Sequence, residues 1–124
     1  MQNGAASGQQ SSFNSVRQHL IVALPNNFDA DDLAELEERV LESLSANKRI
    51  RGVIVDFAAV HSTDTADLER LNDCLRAVRL LGRRVALCGI NPGVAAVVVR
   101  SGLHLHRERV GVDIDDVLQS LNDA

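Results

Sequence analysis

Two stretches of the chain, residues 53–58 (VIVDFA) and 85–90 (VALCGI), hold a single charged side chain between them. A strand with water on one face alternates polar and apolar residues. Strands that fail to alternate must be covered on both faces, the condition met in a parallel sheet flanked by helices. Each run is followed by a stretch with helical spacing, and connections of this kind between parallel strands are right-handed crossovers. The pair of runs therefore confines the chain to a layered α/β architecture.

The rest of the chain fills out that frame. Residues 13–24 read as extended until Pro25-Asn26-Asn27 breaks the pattern, which gives a first strand or a small hairpin. Residues 29–44 form a helix whose buried stripe is Leu33, Leu36, Val40 and Leu44, widened by Leu41, with Asp29, Asp31 and Asp32 complementing the positive end of its dipole. The helix over 65–81 buries Leu68, Leu71, Leu75 and Val78 and stops at Gly82. Asn91-Pro92 reads as a cap and first position of a short helix ending near residue 100 or 101, before Gly102, although Val97-Val98-Val99 is poor helix material. Residues 103–110 read as a weaker strand, and Asp113 caps a last helix with Ile114, Val117, Leu118 and Leu121 on one face. Residues 1–12 are mostly Gly, Ser, Gln and Ala, the composition of a disordered tail. The expectation is one α/β domain over residues 13–124, with a mostly parallel sheet and about four helices.

Composition narrows function mainly by exclusion. At 124 residues the chain fits one domain, and with 2% aromatics and neither Trp nor Tyr its core must be aliphatic. Scarce aromatics and a net charge of −4 argue against nucleic acid as a partner. No apolar run reaches the roughly 20 residues of a membrane span, and the polar N-terminus lacks the apolar segment of a signal peptide. Cys74 and Cys88 fall in helix and strand patterns and are expected to be buried thiols, which suits a reducing cytoplasm.

Nucleotide, P-loop, nucleophile-elbow and zinc motifs are all missing, so no cofactor, metal or catalytic set is expected. His104 and His106 share a strand face but have no obvious third ligand. His61 reads as a polar turn residue. The clusters Glu35/Glu37/Glu38 and Asp113/Asp115/Asp116 read as solvated faces and helix starts. Arg83-Arg84 reads as loop charge that could meet an acidic partner.

The segment left over is His61-Ser62-Thr63-Asp64-Thr65, three hydroxyls and a carboxylate where a helix begins. Thr63 or Asp64 can cap the helix. A phosphate on a hydroxyl here would add about −1.5 to −2 charges beside free helix N–H groups, with Asp64 and Asp67 repelling it. That is a sharp change of surface charge with little change of fold.

The apolar strand with Asp56 and the following Asp64-Thr65 at a helix start resemble the STAS domain of anti-sigma factor antagonists. The segment Cys88-Gly89-Ile90-Asn91-Pro92-Gly93-Val94-Ala95, followed by Ser101-Gly102-Leu103, is similar to the stressosome subgroup, RsbS and the C-terminal half of RsbR. The likeness spans roughly residues 16–121 and favours the minimal, RsbS-like form, because the short N-terminal tail is not a sensor domain. It implies a non-enzymatic scaffold that forms homo- or hetero-oligomers with RsbR-like STAS paralogues and sequesters an RsbT-like serine/threonine switch kinase. Phosphorylation at Thr65 would release the kinase, with Ser62 and Thr63 as fallback acceptors and Asp64, Thr65 and Asp67 as the partner-binding residues. The alternative it implies is a stand-alone antagonist that binds an anti-sigma kinase when unphosphorylated. The chain departs from the subgroup in having Thr rather than Ser at the acceptor, Ala66 after it, and Val97 where some members carry a second hydroxyl.

Overall fold

A computed structural model describes residues 12–101 and 108–122. Of the expected tail, residues 1–11 lie outside the described residues, as do His104 and His106, and Ser12 opens the first strand. The order is β1 (Ser12–Val16), β2 (His19–Ala23), α1 (Ala30–Ala46), β3 (Gly52–Asp56), α2 (Thr65–Leu80), β4 (Arg84–Cys88), α3 (Pro92–Ser101), β5 (Arg109–Gly111) and α4 (Ile114–Asn122). The five described strands lie side by side in sequence order. β2 through β5 run parallel, and β1 returns antiparallel to β2.

The lack of polar alternation in the two apolar runs now has its explanation. Leu20, Val22, Val53, Val55, Val85 and Leu87 point to one face, where they meet the stripes of α1 and α2 together with Val94 of α3. Ile21, Ile54, Ala86 and Cys88 point to the other, where α4 covers them with Val117, Leu118 and Leu121. Both cysteines are buried and unpaired, and burial pushes both thiols up to about 12.

Four local outcomes bear on the expectations in detail. The stretch 13–24 is a hairpin, closed by a two-residue turn in which Arg17 (φ 50°) and Gln18 (φ 65°) both adopt left-handed backbone. The run Val97–Val99 is helical despite its propensity, because Val97 and Val98 pack against the core. Of the strand expected over 103–110, residues 103–107 fall outside the described residues, and the described part is Arg109–Gly111. Arg84, expected as loop charge, is instead the first residue of β4. Arg83 gives its guanidinium to carbonyls of Leu44, Ile50 and Leu81, each at 3.0 Å, so it ties the ends of α1 and α2 together.

Candidate functional site at the start of α2

In a parallel sheet the C-terminal ends of the strands and the N-termini of the following helices share one edge of the molecule. The segment between β3 and α2 lies on that edge and is fixed at four points. Asp56 turns its Oδ1 to accept the Ala58 N–H at 2.9 Å. Phe57 and Val60 are buried, and their backbones are joined by a 2.9 Å hydrogen bond. The His61 N–H donates to Asn26 Oδ1 at 3.3 Å. Asn91 Nδ2 donates to the Val60 carbonyl at 2.9 Å, while Asn91 Oδ1 accepts the Val94 N–H at 2.8 Å and so caps α3. Gly89, at φ +73°, lets β4 pass close by: a Cβ there would lie 2.8 Å from Asp56 Oδ1 and 2.9 Å from the Ala58 nitrogen.

Asp64 is the cap of α2. Its backbone is extended and its Oδ1 accepts the Asp67 N–H at 2.8 Å. Thr65 is therefore the first helical residue, and it is exposed. Ser62 is also exposed. Thr63 differs: its Oγ1 is buried and has no hydrogen-bond partner among the described residues. Of the three hydroxyls in the segment, Ser62 and Thr65 are thus the ones on exposed residues. Since the cap uses the Asp67 N–H, the N–H groups of Thr65 and Ala66 remain available at the helix start.

The surroundings are acidic. Burial holds the Asp67 carboxyl above the usual carboxylate range, and the neighbouring Asp64 adds to this, while Arg70 at 3.5 Å opposes it. Asp29 of the α1 cap adds a smaller like-charge effect on Asp67. Asp29 itself sits below the usual range because the Asp32 N–H binds its carboxylate. His61 is exposed, and it is tied to the segment through its backbone N–H. No group of three or more potential metal ligands occurs among the described residues. A negative charge added to a hydroxyl here would stand beside Asp64 and Asp67.

The model of the STAS domain matches residues 12–116. The chain belongs to the STAS domain family. This STAS domain superposes on an RsbS variant from Moorella thermoacetica with a TM-score of 0.80 at 23% identity, covering 91% of this chain and 95% of that one. A chain from the molecular architecture of the stressosome gives 0.80 at 22% identity, with 90% and 96% covered. The anti-sigma factor antagonist SpoIIAA in its unphosphorylated form gives 0.74 at 13% identity, with 92% and 97% covered. At these identities the likeness establishes the fold. No curated protein sequence matches the chain.

Among the residues named from sequence, Asp64, Thr65 and Asp67 are brought together in one turn of α2, with Ser62 just before it. Val97 is half-buried and packs on the core. Sequence reading did not find Asn26 and Asn91 as braces of the segment. Asn91 was legible as a helix cap, but its second bond, to Val60, depends on β3 and β4 being neighbours. Asn26 was legible only as part of a chain break.

Proposed function

We propose that this STAS domain is a non-enzymatic partner-switching scaffold of the RsbS kind. In this reading it assembles with RsbR-like paralogues, holds an RsbT-like serine/threonine switch kinase, and releases it when Thr65 is phosphorylated. The observation that carries the proposal is the exposed Thr65 at the start of a braced helix, beside Asp64 and Asp67. A phosphate there brings about −1.5 to −2 charges to an edge that is already acidic, and a partner docked on that edge meets the repulsion directly. Asp64, Thr65 and Asp67 form the contact, with Ser62 as the fallback acceptor; Thr63 is disfavoured by its buried hydroxyl.

Incubation with the cognate kinase and ATP, followed by mass spectrometry, is expected to place one phosphate on Thr65 and none on a Thr65→Ala chain. Modification confined to residues outside 62–65, or undiminished in Thr65→Ala, refutes the site. A second reading, a stand-alone antagonist that binds an anti-sigma kinase one-to-one, is supported by the superposition on SpoIIAA. Particle mass separates the two, since a megadalton assembly with paralogues supports the scaffold and a small heteromer supports the antagonist.

A further inference from the structure

The edge of the sheet opposite Thr65 carries a second constellation. His19, Gly52 and Arg84 are aligned across β2, β3 and β4 in one row of the register. Gly52 has no side chain, and a Cβ there would lie 2.7 Å from Arg84 Cγ and 3.2 Å from His19 Cδ2. The gap lets Arg84 cross β3 and donate to His19 Nε2 through Nε (3.3 Å) and Nη2 (3.2 Å). The ring is oriented from its other side, where Nδ1 donates to the Arg17 carbonyl at 2.9 Å within the left-handed Arg17-Gln18 turn. Burial lowers the pKa of His19, so the ring is a neutral acceptor that positions Arg84 without neutralising it.

Beside this row lies an open cavity of about 370 Å³ lined by Lys48, Ile50, Arg51, Gly82, Arg83 and Arg84. The lining has four cations, one aliphatic side chain and no carboxylate. Neither Arg84 nor Arg51 nor Lys48 is in a salt bridge among the described residues, and Arg84 feels both Arg51 and Arg109 as like charges. Capping of helix C-termini explains Arg83, which binds the carbonyls of Leu44 and Leu81. It does not explain Arg84, whose side-chain partner is a histidine. In a chain of net charge −4, cations without a carboxylate partner gathered around a cavity, with Arg84 positioned by a buried ring, suit an anion.

We infer that this cavity binds a small free phosphate compound, recognised by charge: the lining has no aromatic ring for a base to stack on. The inference is independent of the role of Thr65. Calorimetric titration of the full chain at low ionic strength with pyrophosphate, and separately with inorganic phosphate and hexaglutamate, tests it. Pyrophosphate is expected to bind saturably, one per chain, and to raise Tm. Affinity should fall about tenfold or more in Arg84→Gln and in Lys48→Gln, as expected for loss of a charge-assisted contact. Arg76→Gln, on an exposed i,i+3 pair with Asp73, should leave it unchanged. Lys48 is exposed, so its variant keeps the test valid if Arg84→Gln fails to fold. Absence of saturable pyrophosphate binding, binding undiminished in Lys48→Gln, or binding of hexaglutamate without pyrophosphate overturns the inference.

Discussion

Replacing Gly89 with alanine tests how the segment before α2 is held, and Gly82 supplies an internal control. Both glycines have left-handed backbone, at φ +73° and +79°. An L-residue forced into that region costs roughly 1–2 kcal/mol, of which about 0.4–1 kcal/mol is recovered because alanine restricts the unfolded chain. At Gly82 nothing lies within 4 Å of an added Cβ, so Gly82→Ala should cost about 0.5–1.5 kcal/mol, the conformational part alone. At Gly89 the same methyl meets Asp56 Oδ1 at 2.8 Å, the Ala58 nitrogen at 2.9 Å and Ala58 Cα at 3.2 Å. Two of those atoms are backbone, and the third already accepts the Ala58 N–H. Relief requires the loop to move, which adds about 1–3 kcal/mol of overpacking and about 1 kcal/mol for the strained hydrogen bond. Gly89→Ala should therefore lose about 3–5 kcal/mol, a large share of the ~5–15 kcal/mol that holds an ordinary domain together. Urea denaturation followed by circular dichroism gives both values, read as midpoint shifts at constant slope. Equal losses in the two variants, within about 0.5 kcal/mol, would show that contact with the Asp56–Ala58 turn contributes nothing.

Other perturbations follow from the charges, the thiols and the hairpin. The Asp67 carboxyl has a folded pKa above its ordinary 3.8, so its ionised form opposes folding at neutral pH and that penalty vanishes as pH falls below the unfolded value. Asp67→Asn should accordingly be more stable than the parent at pH 7 and lose that advantage below pH 3.8, in thermal melts across pH. Cys74 and Cys88, with thiols raised to about 12, should resist a chromogenic disulfide reagent at pH 8 until denaturant is added; prompt reaction in the folded state would contradict their burial. Replacing Arg17-Gln18 with Asn-Gly should raise stability by about 1–2 kcal/mol, because both positions are left-handed and neither residue favours it.

The last variant also shows why parts of the fold were hidden in the sequence. Residues 13–24 could be read as one strand or two, since Arg-Gln is not turn chemistry and the left-handed pair is imposed by the sheet on either side. The strands β3 and β4 were legible because no other environment suits VIVD or VALC. Helix α3 went against its own propensity because Val94, Val97 and Val98 have a core to pack on, which local preference does not register. At the candidate site, a helix starting at Thr65 followed from the helical period, while the cap, open between Thr63 and Asp64 in the sequence, falls to Asp64 in the structure. The burial of the Thr63 hydroxyl did not, because one residue of rotation in a loop decides it. The row His19-Gly52-Arg84 was invisible for a different reason: its members are 33 and 32 residues apart, and only strand register aligns them.

The two asparagines that brace the segment before α2 have a consequence for timing. Asn26 and Asn91 hold the loop through neutral amide contacts to backbone atoms, and a dianion added at the proposed acceptor, Thr65, would exert no strong pull on such contacts. On the proposed function, modified and unmodified chains would then share one backbone conformation, with no slow rearrangement between the covalent event and its effect on a neighbour. The delay of such a response would be set by how fast the group is put on and taken off, and by how long the neighbour stays bound.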